Sequence, residues 1–516
     1  MRFFHPQRVR VAFGGLAALM LAAGCVHKLT RTLVPPSRVA TLDARSPYLK
    51  AHMSDGSVYV LGEWAVDSTR TRISGSGHRL GLNREPIDSG SFHLPTDSVV
   101  LFETNVEESS GASAAITVMA GVTAVIAGIC AADPKTCFGS CPTFYAPGPE
   151  GEMVLQAEGF SSSIAPALEA TDVDMLMHAF AKGRDFEVEV TNEALETHVI
   201  RHADLLVARR PPGGRVFMTS SGDFHETTGI VAPTGCIAAE GDCLGDVLEA
   251  DGRERFSATD STDLATREII ELVFDEVPDG EMGLVLASRQ TFVTTFLIYQ
   301  ALAYLGSDAG QWMASLETGG DRARAQAGAL GRVLGGIEVS VLDDRGRWVS
   351  AGHVGETGPI ALDTRVVPIG VGVAPLHVRL RLTRGLWRLD QAALVGLGRK
   401  VTAERIQPAS VRDREGPRAA ALEALTDPQK TLVTLPGDAY RISYRLPDDP
   451  ASLELFLEAR GYYLEWMRRE WLAERNPIRA AQLVLDPEGA MRTLAPEFKR
   501  REARFEHLFW NSRYVR

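Results

Sequence analysis

Along much of the chain apolar and polar residues take turns, one for one, which is the period of a strand with a single buried face. "LHVRLRLT" is the clearest case: Val378, Leu380 and Leu382 point one way, and Arg379, Arg381 and Thr383 the other. In "FEVEVTNEAL" the same alternation puts Phe186, Val188 and Val190 on one face, and "HVIRHADLLVARR" reads as the partner strand. Asp55-Gly56 predicts a hairpin turn between "YLKAHM" and "VYVL", and Arg345-Gly346 another within "IEVSVLDDRGRWV". Further strands are expected in "TRISGSGHRLGL", "DSVVLFETN", "RVFMTSS", "REIIELVFDEV", "EMGLVLASRQT" and "DAYRISYRLP". Helical signals are fewer. Phe292 to Gly306 is apolar, has helical length and ends on a C-cap glycine. Arg322 to Leu334 is Ala-rich, and Leu464, Met467 and Trp471 fall at helical spacing before Pro477.

The pattern implies a mainly β, multidomain protein. A small β-barrel or sandwich is expected over 40–106, an apolar helix over 111–132, and a cysteine-containing, immunoglobulin-like sandwich region over 133–320. A second sandwich is expected over 337–450 and a helical C-terminal arm over 451–516. "RLRLTRGLWRLDQAAL" resembles the closing strands of galactose-binding-like jelly rolls in bacterial surface proteins. That resemblance implies a β-sandwich with a ligand-binding role.

Composition adds limits. The 516 residues are 45% hydrophobic and 23% charged, enough to build several cores. The formal net charge of −12 leaves no basic footprint for nucleic acid.

The N-terminus supplies an address. Arg2, Arg8 and Arg10 precede a short apolar stretch, Val11 to Ala23, and "LAAGC" follows. This has the form of a secretory signal over 1–24. The small residues before Cys25 resemble the lipobox of bacterial lipoproteins. The resemblance implies cleavage before Cys25, a diacylglycerol thioether on its sulfur and a lipidated tether over 25–39. Several acyl chains make a stable membrane anchor. Val26, in place of aspartate, implies the outer membrane, facing the periplasm.

An exported chain meets oxidising conditions, so Cys137 with Cys141 and Cys236 with Cys243 are candidate disulfides, with crossed pairings equally allowed. Cys130 is left as a buried thiol. "CFGSCPTFY" followed by "MVLQAEGF" resembles an uncharacterised bacterial envelope domain family, which implies a structural hairpin. Cys137 and Cys141 also admit a redox or copper-handling reading, with Lys135 nearby. The run "GASAAITVMAGVTAVIAGICAA" (111–132) has the length of a membrane span, but small residues dilute it and its flanks lack Lys and Arg.

Other candidate groups are weaker. His198 and His202 lie four apart in a strand context, without the glutamate of an HExxH helix. Ser220, Ser221, Asp223 and His225 are close in sequence, which does not make a triad. Glu240, Asp242, Asp246, Glu249 and Asp251 form an acidic loop without EF-hand spacing. Arg379, Arg381 and Arg384 with Trp387 could meet an anionic sugar or headgroup. No catalytic residue, metal ligand or cofactor is assigned. The expectation is a non-catalytic binding or assembly component of the envelope, held by lipid, with an envelope protein or glycan as partner.

Overall fold

The computed structural model describes residues 28–34, 36–53, 58–80, 86–108, 141–149, 151–192, 196–309, 312, 316, 328–435, 438–465 and 474–502. The protein is mainly β, arranged in antiparallel sheets. The chain divides into two compact units, 1–122 and 123–516.

The first unit is a six-stranded sheet in the order 28–34, 99–108, 48–53, 58–66, 72–80, 86–95. Leu49, Ala51, Leu61, Ile73 and Phe102 are fully buried in its core. The expected hairpin forms, with Tyr48 opposite Gly62 and His52 opposite Val58. One expectation fails. Residues 28–34, placed in a tether, are an edge strand running from Lys28 opposite Glu108 to Val34 opposite Phe102. "KLTRTLV" is rich in β-branched residues, Thr30, Thr32 and Val34, which suit a strand, and a 3-10 turn follows at Pro36–Thr41.

The second unit stacks four sheets face to face. Sheet I has the order 416–417, 410–413, 439–445, 185–191, 143–147, 153–158. Sheet II has the order 404–406, 196–209, 453–465, 170–175, with 432–434 also on 196–209. Sheet III runs 214–218, 224–231, 387–401, 282–290, 363–370, with 255–256 also on 387–401. Sheet IV runs 241–242, 235–238, 267–274, 376–383, 337–342, 348–354.

Three apolar cores separate these layers. Phe186, Val188 and Val190 of sheet I meet Ile200, Ala203, Leu205 and Leu457 of sheet II. Leu206, Ala208 and Phe456 leave the other face of sheet II to meet Val285, Val366 and Val395 of sheet III. Leu284, Leu286 and Leu394 of sheet III then meet Leu272, Val378, Leu380 and Leu382 of sheet IV. The two inner sheets are therefore covered on both faces. Their strands read as continuous apolar runs, and every residue of Met282–Gln290 is buried.

That burial explains the main correction to the sequence reading. Residues 453–465, expected in the helical arm, form a 13-residue strand, Leu453–Glu465, paired along Glu196–Arg209. Leu455, Phe456 and Leu457 are all buried, so no alternation betrays the strand. Helices begin later, at Pro477–Leu485 and Pro487–Lys499. Residues 185–191 and 196–209, expected as partners, lie in different sheets; Asp185–Thr191 pairs instead with Ala439–Arg445. Strand pairing thus crosses the boundary expected between 320 and 337.

The apolar helix at Val293–Leu305 forms as expected and ends at Gly306, whose φ is 53°. It closes the core between sheets III and IV together with the C-terminal helices, Phe296 lying 5.1 Å from Phe498. Among the described residues no helix is long and apolar enough to cross a membrane. The segment 111–132 lies outside the described residues, as do Cys25, Cys130 and Cys137.

Candidate functional site

At one end of the stack several element ends meet around a cavity of about 20 Å³, room for a single water-sized guest. Sheet I supplies Cys141, just before its 143–147 strand, and Glu158, at the end of 153–158. The 453–465 strand contributes Tyr463 and Glu465, and the 282–290 strand contributes Gln290. Thr294, Thr295, Ile298 and Tyr299 present one flank of the Val293–Leu305 helix, while Glu356, Thr357 and Pro359 come from the loop before the 363–370 strand.

The walls are hydrogen-bonded to one another. Tyr463 Oη donates to the Ser161 carbonyl at 2.9 Å, and the Cys141 thiol shares that acceptor at 3.6 Å. Glu158 Oε2 accepts the Ile360 N–H at 2.7 Å, which ties sheet I to the 355–362 loop. Arg289 Nη1 donates to the Pro359 carbonyl at 2.8 Å and the Gln290 N–H to the Gly358 carbonyl at 3.1 Å, so the loop is held from sheet III as well.

Burial controls the proton chemistry here. It pushes the Glu158 carboxyl up to about 7, against the pull of the two backbone N–H groups of Ile360 and Ala361. It also pushes the Cys141 thiol well above its ordinary value, with Glu158 and Glu196 adding to the shift. Tyr463 is raised for the same reason, helped by Cys141. A thiol held protonated and out of water is a poor nucleophile and a poor redox centre. Cys141 is a free thiol, which departs from the expected Cys137–Cys141 bridge. Cys236 and Cys243 are joined, with Sγ atoms 2.06 Å apart, and both are buried.

The remaining sequence candidates are dispersed. His198 Nε2 lies 2.9 Å from Glu196 Oε1, both side chains fully buried. His202 Nε2 lies 2.9 Å from Glu458 Oε1. A register shift between Ile200 and His202 separates the two histidines' surroundings. His202, Asp204 and Glu458 do converge, within 4.8 Å, but Arg405 already donates to both carboxylates. His202 first, and then Arg405, hold the Glu458 carboxyl down at about 2.

Ser220, Ser221 and His225 form no relay. Ser220 donates to the His353 carbonyl, Ser221 to Asp223, and His225 faces the Gly398 carbonyl. In the acidic loop Glu240 pairs with Arg255, Asp242 accepts the Leu244 N–H and Asp251 pairs with Arg253. The arginine stripe is likewise engaged. Arg379 pairs with Glu271 and lies 3.9 Å over the Trp348 ring, and Arg381 pairs with Glu338. Trp387, expected beside these arginines, is fully buried, and so is Thr383, whose hydroxyl donates to the Leu334 carbonyl.

No family model matches the chain, and no curated protein matches it. Solved structures match only weakly. A β-porphyranase of glycoside hydrolase family 86 from Bacteroides plebeius is 8% identical, with a TM-score of 0.17, over 46% of this chain and 38% of that one. A family 31 α-xylosidase from Xanthomonas citri is 9% identical, with a TM-score of 0.15, over 88% of this chain and 37% of that one. A secreted serine protease from Vibrio cholerae is 8% identical, with a TM-score of 0.13, over 71% of this chain and 75% of that one. The chain thus spans well under half the length of the first two.

Glu158, Gln290, Tyr463 and Glu465 did not stand out in the sequence. The signal available was Glu158-Gly159 closing "MVLQAEG", a carboxylate ending a strand beside a glycine that lets Phe144 approach.

Proposed function

We propose that the protein is a lipid-anchored component of the bacterial cell envelope, attached through Cys25 to the outer membrane and facing the periplasm. There it acts as a non-catalytic binding or assembly module rather than as an enzyme. Its partner is another envelope protein or a glycan, met by the outer faces and edges of the β-stack. The observation that carries the reading is the Cys236–Cys243 disulfide, a link that suits an oxidising compartment, alongside the lipobox-like "LAAGC". The burial of Cys141 adds support, since a protonated, enclosed thiol suits a structural role better than dithiol exchange or copper transfer.

Mass spectrometry of the protein from its native membranes tests the anchor: residue 25 should carry the diacylglyceryl and acyl groups. Thiol trapping tests the second half. Cys141 should resist alkylation until the protein is unfolded. An unmodified Cys25 on soluble cytosolic protein, or a Cys141 alkylated at the rate of a free peptide thiol, would overturn the reading.

A further inference from the structure

Two loops step between sheets III and IV at the same end of that sandwich. Phe274 stands opposite Leu376 in sheet IV, and Met282 stands opposite Gly370 in sheet III. The loops 275–281 and 371–375 join these strand ends, so they lie side by side. The second, "VGVAP", has no polar side chain. Its middle is seated on the core: a Cβ on Gly372 would stand 2.9 Å from both Leu376 Cδ1 and Met282 Cε. The residues on either side of Gly372 are left outside, Val371 70% and Val373 78% exposed. A single exposed apolar residue is ordinary, but two on one seated loop tip form a surface that loops of this kind use for contact.

The 275–281 loop, "DEVPDGE", is held as well. The Leu397 N–H donates to the Glu281 carbonyl at 2.7 Å, and a Cβ on Gly396 would touch Pro278 Cβ at 3.6 Å. Asp275, Glu276, Asp279 and Glu281 are all exposed. Neither loop contains a lysine or arginine, and among the described residues none of the four carboxylates is in an ion pair. Elsewhere on sheet IV the acids are matched, Glu271 by Arg379 and Glu338 by Arg381. The adjoining 343–347 turn carries as many acids as bases, with Arg347 held by Asp343. Unmatched negative charge therefore collects beside the apolar tip.

We propose that this loop end docks a partner protein through an apolar socket rimmed by lysine or arginine, with Val371 and Val373 as the plug and the four carboxylates as the facing rim. An apolar centre inside a charged border is the common anatomy of a protein interface, and opposite charge on the partner steers the encounter. The same charge disfavours other occupants. An anionic lipid surface would be repelled, and so would the same end of a second copy, in a chain whose net charge is −12. A glycan would find no aromatic ring to stack on in either loop. The inference rests on the reading of the chain as a binding module, and it narrows the partner to a protein.

The test places the photo-cross-linker benzoylphenylalanine at residue 373 of the full-length protein in intact cells of its own source. Residue 485, where Leu485 is 79% exposed on the Pro477–Leu485 helix, serves as the control position. Illumination should give a protein adduct from 373 and none from 485. Mass spectrometry should map the adduct to an apolar residue of the partner with lysine or arginine beside it. The yield should fall at least fivefold when Asp275→Lys and Glu276→Lys are added, and stay unchanged with Glu404→Lys on sheet II. Circular dichroism melts verify that each variant folds, and the milder pair Asp279→Asn with Glu281→Gln decides the matter where the lysine pair does not fold. The proposal is overturned by any of four results: no adduct above the 485 control, an adduct to lipid, glycan or a second copy, a mapped site without a basic neighbour, or a yield that the charge changes leave unaltered. The mass of residue 25 in the same preparation reports on the anchor separately, so failure here is told apart from failure of the envelope reading.

Discussion

Gly358 lies directly beneath the Glu158 carboxylate: a Cβ built on it would stand 2.1 Å from Oε2 and 2.3 Å from the carboxyl carbon. Glu158 is itself fastened to the Ile360 N–H, so it cannot swing aside without breaking the tie between sheet I and the 355–362 loop. Gly358→Ala should therefore destabilise the protein by about 1–3 kcal/mol, the usual cost of overpacking a filled site. Urea denaturation monitored by tryptophan fluorescence would measure it.

Asp390 carries a pH dependence. It is buried in sheet III, and burial lifts its carboxyl to about 6 from 3.8, with Glu254 and Asp251 adding repulsion against the Gly252 N–H that it accepts. A carboxyl raised on folding binds its proton more tightly in the native state. Its contribution is neutral below about pH 4. Stability is then lost as pH rises, and the full penalty stands above pH 6. The penalty is on the order of 2–3 kcal/mol. Asp390→Asn keeps an acceptor for Gly252 and removes the charge. The variant should be more stable than the parent at pH 7.5, with the gap closing by pH 4 in paired thermal melts.

The buried pair of Arg255 and Glu268 sets a third expectation. Arg255 Nη1 lies 2.8 Å from Glu268 Oε1, with side-chain exposures of 1% and 3%. Ser257 also donates to Glu268, and Glu240 takes the outer edge of the guanidinium. Arg255→Met strands the Glu268 carboxylate and should cost about 3–5 kcal/mol. The double change Arg255→Met with Glu268→Leu should recover much of that loss, as chemical denaturation of both variants would show.

The Cys236–Cys243 link closes a short loop, the two cysteines being separated by 7 positions. A loop of that size restricts the unfolded chain only modestly, so Cys236→Ala with Cys243→Ala should lower stability by roughly 2–3 kcal/mol. Reducing agent should shift the parent's unfolding midpoint and leave the double variant's unchanged.

What the sequence revealed depended on how many faces of a strand are covered. Val378, Leu380 and Leu382 alternate with Arg379 and Arg381 because sheet IV buries one face there, so that strand was legible. Leu453–Glu465 is buried on both faces and lost its signature. The spacing of Leu464, Met467 and Trp471 then read as helix, whereas Leu464 is a strand residue and the other two lie outside the described residues. Pairing across the chain was beyond local pattern, since nothing near Asp185 announces Arg445. The cavity was illegible for a related reason. Its lining comes from six separate stretches, each contributing one to four residues without a motif of its own. The arginine stripe was visible as charge, while the glutamates that neutralise it sit on neighbouring strands.

The strand partners of sheets I and II have a consequence for how the molecule is made. Glu189 and Arg441, joined across adjacent strands, are 252 positions apart. Glu196–Arg209 likewise waits for Leu453–Glu465. Closing such long loops is slow, and a non-local topology folds late. A chain emerging N-terminus first must carry both early strands with naked edges until its last hundred residues arrive. Those edges are where a holding chaperone, or a neighbouring copy, would first take hold.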